Sequence, residues 1–230
     1  GKKPMPSCPK LLKTGSIYHV FNRGVEKRII FPDKSYYQRF LTTLNYYKDN
    51  QPERLSLSAH LDNKVSIQPR AREHLLSILC FCLMPNHFHL VLKQLTDGGI
   101  SRFMNDIANS YTKYLNTRLE RVGHLFQGSF KSKLIETESS FLQVTRYIHL
   151  NPTDLHPEGE KAMGMYSTEK SLREYPYSSY KTYLGKEMAH PICDQSEIRE
   201  LIGAPNEYRN FIKSKLNQDA RLGIENLTLD

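Results

Sequence analysis

Apolar and polar positions follow two different periods along the first two thirds of the chain. Residues 16–24, SIYHVFNRG, alternate with a period of two, which predicts a strand that ends at a turn. Residues 100–122 repeat apolar side chains at steps of three and four, which predicts an amphipathic helix. The predicted elements are, in order, a strand at 16–24, a helix at 33–50, strands at 74–84 and 87–94, a helix at 100–122, a strand at 129–137 and a helix at 137–152.

The order of these elements indicates an α+β fold. Helices packed on a mostly antiparallel, ferredoxin-like sheet suit this order, because each amphipathic helix must bury its apolar face. Residues 51–73 are polar and without a clear period, so we expect a loop or an insertion there. The composition changes after Pro152, which divides the chain into a core domain at 1–152 and a C-terminal, mainly helical appendage at 153–230.

The charge is distributed unevenly between these two parts. Residues 1–152 contain 22 Lys and Arg against 11 Asp and Glu, whereas residues 153–230 contain 10 against 13. A basic part that is also rich in tyrosine and phenylalanine suits a nucleic acid, since cations bind phosphates and aromatic rings stack on unpaired bases. A basic but merely solvated surface explains the charge equally well.

Cysteine usage and hydropathy indicate the compartment. Cys8, Cys80, Cys82 and Cys193 do not form a Cys-x-x-Cys motif, and we expect reduced thiols. No run approaches the ~18 apolar residues of a membrane span, and the first residues lack the apolar core of a signal peptide. These features predict a cytoplasmic protein without a membrane partner.

The stretch 83–94, LMPNHFHLVLKQ, places His87 and His89 in an apolar predicted strand that follows a turn at Pro85-Asn86. Alternate side chains of a strand share a face, so both imidazoles lie on one side, ~7 Å apart. Two neutral imidazoles at this separation can bind one divalent cation. They can also be hydrogen-bonded interior histidines, and the pair alone selects neither a metal nor a reaction.

The last predicted core helix displays a phenol and an amide on one stripe. Tyr147 and Asn151 are four residues apart, and Gln143 lies one turn earlier. The neighbouring stripe, which can face the core, consists of Phe141, Val144 and Ile148. If the helix lies against the histidine strand, Asn151 can supply a third ligand and Tyr147 can point at the group that the metal activates. By spacing alone, the better explanation is that Tyr147 is a packing residue of an amphipathic helix and Asn151 a C-terminal helix residue before proline.

Two central motifs and three supporting stretches resemble a known family. MPNHFHLVL and RYIHLNP are similar to the central motifs of the HUH-type single-tyrosine transposases, and within them of the IS200-like, REP-associated tyrosine transposases. The stretches YHVFNRG and GHLFQGSFKSKLI support the resemblance, as does YPYSSY after the core. The resemblance covers about residues 16–183 and leaves the tail from about 184 to 230 unmatched.

The resemblance implies a reaction and its residues. His87, His89 and Asn151 would bind Mg²⁺ or Mn²⁺, and Tyr147 would be the nucleophile that cleaves and rejoins single-stranded DNA at short palindromic, hairpin-forming repeats through a 5′-phosphotyrosine intermediate. The domain at 1–152 would then be catalytic, and the appendage would bind a DNA end or regulate. Tyr111 and Tyr114 are rival nucleophiles, although their spacing with Ile107 is typical of a packing stripe.

Several side chains are candidate contacts to DNA. Those for phosphates are Arg23, Lys27, Arg28, Lys131, Lys133 and Arg146, and those for a DNA end or hairpin are Tyr177 and Ser178. The expected partner is single-stranded or hairpin DNA, bound by a monomer or a homodimer. One alternative is a catalytically silent DNA- or RNA-hairpin-binding protein of the same fold. A second, a barrel metallohydrolase, is disfavoured because such a barrel needs ~250 residues of repeated strand-helix units.

Overall fold

A computed structural model describes residues 12–51, 54–56, 73–155, 168–186 and 192–216. The strands are β1 (Ile17–Arg23), β2 (Leu76–Met84), β3 (His87–Gln94) and β4 (Lys131–Ile135). The α-helices are α1 (Lys34–Tyr47), α2 (Gly99–Arg118), α3 (Glu138–Leu150), α4 (Glu169–Glu174), α5 (Tyr180–Tyr183), α6 (Gln195–Ile202) and α7 (Pro205–Leu216). Short 3-10 helices span Val25–Lys27 and Asn151–Asp154.

The strands form one antiparallel sheet in the order β2-β3-β1-β4. Together with α1 between β1 and β2, and α2 between β3 and β4, this order is the ferredoxin-like arrangement. The α+β fold predicted from the sequence is confirmed. The predicted two-residue turn at Pro85-Asn86 joins β2 to β3, while most of the loop predicted at 51–73 lies outside the described residues.

Helices α1 and α2 pack on one face of the sheet. Phe40 of α1 lies against Phe88 of β3, with ring centroids 5.1 Å apart, and both side chains are buried. Tyr111 of α2 is buried in the same layer, and its hydroxyl donates a hydrogen bond to the backbone oxygen of Ile30 at 2.6 Å. Helix α2 ends at Arg118, four residues before the predicted end at 122. Glu120, two residues later, adopts a left-handed conformation (φ 50°) that a helix cannot continue through.

Helix α3 packs on the opposite face. The Thr137 side chain accepts a hydrogen bond from the backbone nitrogen of Ser140 and so caps the helix. The buried stripe consists of Phe141, Val144 and Ile148, as the periodicity predicts. The helix ends at Leu150, and the 3-10 helix that starts at Asn151 accommodates the following Pro152.

The C-terminal part covers the outer edge of β2. The backbone nitrogen of Leu83 donates to the Tyr177 oxygen at 2.9 Å, and the Ser179 nitrogen donates to the Phe81 oxygen at 3.0 Å. Residues 177–179 therefore pair with an otherwise open sheet edge, a contact that the hydrophobic pattern did not predict. Helices α6 and α7 make this part mainly helical, as the sequence predicts. None of the described helices is long and apolar enough to cross a membrane.

Candidate active site

The two histidines of β3 face helix α3. His89 is fully buried, and its ring centroid lies 5.4 Å from that of Tyr147, with the two rings nearly perpendicular (81°). The Nε2 atom of His87 lies 3.4 Å from Oδ1 of Asn151. The structure thus brings together the four residues that two separate sequence motifs supply, because α3 lies across β3.

Hydrogen bonds orient the side chains of His87 and Asn151. His87 Nδ1 lies 2.6 Å from Oδ1 of Asn86, and since an amide oxygen only accepts, the proton is on Nδ1. The Nε2 lone pair of His87 is left on the side of Asn151. The Asn151 amide nitrogen donates to the backbone oxygen of Tyr147 at 3.0 Å, which turns Oδ1 toward His87. Both atoms that face each other are therefore electron-pair donors, an arrangement that a cation stabilises.

A third histidine, His19 of β1, lies beside this pair. Its Nε2 is 3.0 Å from Nδ1 of His89, and both rings are fully buried. The register that pairs Phe21 with His89 puts His19 on the same face of the sheet. Sequence reasoning missed His19 as a site residue. The alternation of YHVFNRG shows which residues share a face of β1 with His19. It does not show which strand pairs with β1.

Burial keeps these imidazoles neutral. It lowers the pKa of His19 to about 3 and that of His87 to about 4, in each case mainly because a charged ring would lose its hydration. The same cause, with smaller contributions from the neighbouring His19 and His87, lowers the pKa of His89 well below its ordinary value. All three rings therefore present nitrogen lone pairs at neutral pH, which a metal ligand requires.

The donor set fits a hard divalent cation bound through an amide. Within the described ranges no group of three or more His, Cys, Asp or Glu side chains is arranged to hold a metal, and the oxygen donor that lies next to His87 Nε2 is Oδ1 of Asn151. Two ligands at right angles on an Mg²⁺ ion, each ~2.1 Å away, would be ~3.0 Å apart. The 3.4 Å between His87 Nε2 and Asn151 Oδ1 is close to this. The Nε2 atom of His89 is buried without a hydrogen-bond partner in the described structure, as expected of an atom reserved for a ligand.

Three of the predicted phosphate contacts border the histidine face. Lys131 and Lys133 pair with Phe21 and His19 across β1 and β4, so they share the face of the histidines. Arg23 is opposite His87 in the β1–β3 register. Lys131 is exposed, and Lys133 and Arg23 are half-buried. These three cations lie where a phosphate that approaches the site can meet them.

Lys27 and Arg28 lie on the turn after β1. Lys27 is exposed, and its backbone oxygen accepts a hydrogen bond from the Asn86 amide at 3.3 Å, next to the start of β3. Arg28 is half-buried and forms an ion pair with Glu26 at 3.3 Å. This turn adds two cations at the His87 end of the site. We call the five cations Arg23, Lys27, Arg28, Lys131 and Lys133 the basic border.

The other predicted DNA contacts occupy packed positions. Arg146 is only 5% exposed, its guanidinium lies 4.4 Å from the ring centroid of Phe211, and it donates a hydrogen bond to Gln143. Tyr177 stacks on Tyr37 with centroids 3.7 Å apart. Ser178, in the strand-like segment that pairs with β2, is 2% exposed. In the structure Arg146 packs under α7, Tyr177 packs on α1 and Ser178 pairs with β2, so these three residues do not join the cations at the histidine face.

The rival nucleophiles are on the other face of the sheet. Tyr111 and Tyr114 are buried in the layer of α1 and α2. Burial raises the pKa of Tyr111 well above its ordinary value, which disfavours the phenolate that attacks. Tyr147, by contrast, is partly exposed beside the histidines.

The part of the chain that carries the two central motifs matches a known protein family. The family model described as "Transposase IS200 like" matches residues 54–151, which include His87, His89, Tyr147 and Asn151. No curated protein matches the chain. A solved structure of a REP-associated tyrosine transposase bound to a REP hairpin aligns with a TM-score of 0.49 at 14% identity, over 83% of this chain and 94% of that one. The family resemblance inferred from the motifs is confirmed for residues 54–151, which match the IS200-like transposases.

Proposed function

We propose that the protein is a metal-dependent transposase that cleaves and rejoins single-stranded DNA with Tyr147 as nucleophile. The observation that carries this proposal is the position of Tyr147. Its ring lies 5.4 Å from that of His89, and its backbone oxygen accepts a hydrogen bond from the Asn151 amide. A phenol next to a cluster of neutral metal-ligand side chains is suited to nucleophilic attack on a phosphodiester. The match to IS200-like transposases supports the same reaction class.

In this proposal His87, His89 and Asn151 hold Mg²⁺ or Mn²⁺. A bound cation supplies Lewis-acid catalysis, since it withdraws charge from the scissile phosphate and holds it in place. All three ligands are neutral, so the cation keeps its positive charge for the phosphate. Burial lowers the pKa of His87 and of His89, so both rings are neutral at the pH of the cytoplasm and can bind a cation there.

Tyr147 carries the covalent chemistry. Its phenol loses a proton as the oxygen bonds to phosphorus, and the bond from phosphorus to the 3′ oxygen breaks. The leaving 3′ oxygen takes up a proton, so the products are a 5′-phosphotyrosine and a free 3′-hydroxyl. In the rejoining step a 3′-hydroxyl attacks this phosphotyrosine and releases Tyr147. The phosphodiester energy is conserved in the covalent link, and no nucleotide cofactor is needed.

The DNA would lie along the basic border of the site. Arg23, Lys131 and Lys133 lie on the histidine face, and Lys27 and Arg28 continue the border. A groove of about 1410 Å³ lies between α2 and β4, and its lining includes Lys131 and Lys133 of the border, the cation Lys113 and the amide-bearing Gln127. Cations and amides bind sugar-phosphate and bases without a double helix, and we propose hairpin-forming single-stranded DNA of the REP type as the substrate.

The test is covalent trapping. Full-length protein is incubated with end-labelled hairpin and linear single-stranded oligonucleotides in Mg²⁺, Mn²⁺ or EDTA, and a denaturant-resistant protein–DNA adduct is measured. We expect an adduct that requires a divalent cation, that is lost in Tyr147→Phe and that persists in Tyr111→Phe. An adduct that persists in Tyr147→Phe refutes the assignment of the nucleophile. Tight hairpin binding without an adduct under any condition supports the catalytically silent binding protein instead.

A further inference from the structure

The ring of His19 lies against the ring of His89. The two centroids are 5.1 Å apart with an angle of 24° between the planes, and His19 Nε2 is 3.0 Å from His89 Nδ1. Both side chains are fully buried. His19 lies in β1, outside the residues 54–151 that match the transposase family, so the family match assigns it no role.

The hydrogen bond between the two rings has only two possible directions. Either His89 carries its proton on Nδ1 and donates to His19, or His19 carries its proton on Nε2 and donates to His89. A neutral imidazole has one N–H and one lone pair. In the first arrangement the lone pair of His89 is on Nε2, and in the second a proton is there.

The two arrangements differ in what they require of the space around His89 Nε2. This atom is buried and, among the described residues, has no hydrogen-bond partner. An N–H at this position would be an unsatisfied donor, whereas a lone pair is satisfied as soon as a cation binds. His19 Nδ1 is also without a described partner, and it carries the proton in the first arrangement and a lone pair in the second. Without a cation each arrangement therefore leaves one buried N–H without a described acceptor, and a cation at His89 Nε2 favours the first arrangement.

The hydrogen-bond partner of His89 Nδ1 in the described structure is Nε2 of His19. Lys133, which is opposite His19 in the β1–β4 register, carries only donors, and Phe21 beside His89 carries no polar atom. His87 obtains the same kind of bond from Asn86 Oδ1, at 2.6 Å. Each proposed histidine ligand thus has one acceptor for its Nδ1–H, and the one for His89 comes from a strand that is distant in sequence.

We propose that His19 is a positioning residue that accepts the Nδ1–H of His89 and thereby directs the Nε2 lone pair of His89 to the divalent cation. This inference rests on the proposed metal site. Residues that bind the second nitrogen of a ligand histidine set its tautomer and ring orientation, and their loss weakens metal affinity by about 10–100-fold. His19 would therefore act on metal binding without contacting the metal or the DNA.

Three variants of the full-length protein separate this role from packing. His19→Phe keeps a flat ring but removes the acceptor, and His19→Gln retains an acceptor oxygen on a side chain of similar reach. Phe21→Leu is the matched control, since Phe21 also packs on the His89 ring, at 5.8 Å, without a hydrogen bond. Circular dichroism and thermal unfolding of each variant establish that it is folded.

Two measurements on these variants read out the metal site without activity. The affinity for Mn²⁺ alone is measured by electron paramagnetic resonance, which reports free aqueous Mn²⁺. The tautomer of His89 is read from the ring ¹⁵N chemical shifts of histidine-labelled protein with Mg²⁺ bound. We expect His89 to be protonated at Nδ1, the His19→Phe protein to bind Mn²⁺ about 10–100-fold more weakly, and His19→Gln and Phe21→Leu to bind near the wild-type level.

The outcomes distinguish the inference from the proposal on which it rests. If the wild-type protein binds no Mn²⁺, the metal site itself is wrong and the inference falls with it. If the wild-type protein binds Mn²⁺ and folded His19→Phe binds equally well, the metal site stands and the role of His19 is refuted. If His89 is protonated at Nε2 with Mg²⁺ bound, this nitrogen is not a ligand, and both the assignment of His89 and the role of His19 are refuted. If His19→Phe does not fold, the tautomer of His89 and the Mn²⁺ affinity of His19→Gln decide. The comparison is His87→Ala, which removes a proposed ligand. If His19→Gln binds Mn²⁺ as weakly as His87→Ala, the role of His19 as an acceptor is refuted.

Discussion

His149 on α3 predicts a measurable dependence of stability on pH. It is 1% exposed, and its Nδ1 lies 2.7 Å from the hydroxyl of Tyr208 on α7. Its Nε2 lies 2.8 Å from Oγ of Ser179. These bonds join the helix that carries Tyr147 to two segments of the C-terminal part. The variant His149→Gln keeps polar atoms at this place but removes the titrating ring.

Burial lowers the pKa of His149 to about 3, whereas an unfolded histidine has a pKa near 6.5. Below pH 6.5 the unfolded chain therefore binds a proton that the folded chain does not, and the free energy of unfolding decreases as the pH falls toward 3. Between pH 6.5 and pH 5 the change is 1.5 pH units, which corresponds to about 2 kcal/mol at 1.36 kcal/mol per unit.

The assay is urea unfolding of the wild-type and His149→Gln proteins at pH 7 and pH 5, with the slope against urea compared in each case. We expect the variant to be less stable by about 1–3 kcal/mol at pH 7, because buried partners lose their hydrogen bonds. At pH 5 this difference should be smaller by about 2 kcal/mol, since only the wild-type protein pays for a neutral buried histidine. The other histidines titrate in both proteins and cancel from the comparison.

The reasoning is refuted if the two proteins lose stability in parallel between pH 7 and pH 5. That result would mean that His149 has a similar pKa in the folded and unfolded chains and that burial does not lower it. A changed urea slope in the variant would instead indicate a different unfolded or folded ensemble and would call for the same comparison with His149→Asn.

Further predictions concern the ligand, the basic border and the packing of the C-terminal part. Asn151→Ala should weaken Mn²⁺ binding and the adduct together while thermal stability changes little, and unchanged binding would remove Asn151 from the ligand set. The double change Lys131→Gln and Lys133→Gln should reduce the slope of log K against log salt for single-stranded DNA by about 1.4, at ~0.7 per phosphate contact. Lys213 is an exposed residue of α7, so Lys213→Gln is the control and should leave the slope unchanged. In urea unfolding, Tyr177→Ala should lower the free energy of unfolding by more than the ~0.5–1.5 kcal/mol of its ring stacking. Tyr177→Phe keeps the ring and should retain most of the wild-type free energy of unfolding.

The candidate site shows how far local periodicity reaches. The alternation of a strand puts His87 and His89 on one face, and the turn of a helix puts Tyr147 and Asn151 on one stripe. Both relations lie within a single element, and the structure contains both. The family motifs then linked the strand to the helix. The proximity of the two elements was an expectation from this resemblance and not from spacing.

Arg146 illustrates what the periodicity could not decide. A charged residue next to Tyr147 was expected to contact phosphate, but α7 covers it, and its guanidinium lies on Phe211. Tyr177 and Ser178 were likewise predicted to contact a DNA end, and the structure places them in the segment that pairs with the edge of β2. Each of these positions depends on which segment packs over it, and sequence spacing contains no information on that.

The sequence by itself determined the types of the elements, the face on which each candidate ligand lies and the α+β class, because these follow from periods of two to four residues. Only the tertiary structure decided that β1 pairs with β3 and so places His19 against His89, 70 residues away along the chain. Only the tertiary structure decided which cations remain exposed at the site and which are buried under α7. The physical reason is that pairing and coverage result from the burial of whole surfaces, and these surfaces are formed by residues far apart in the chain.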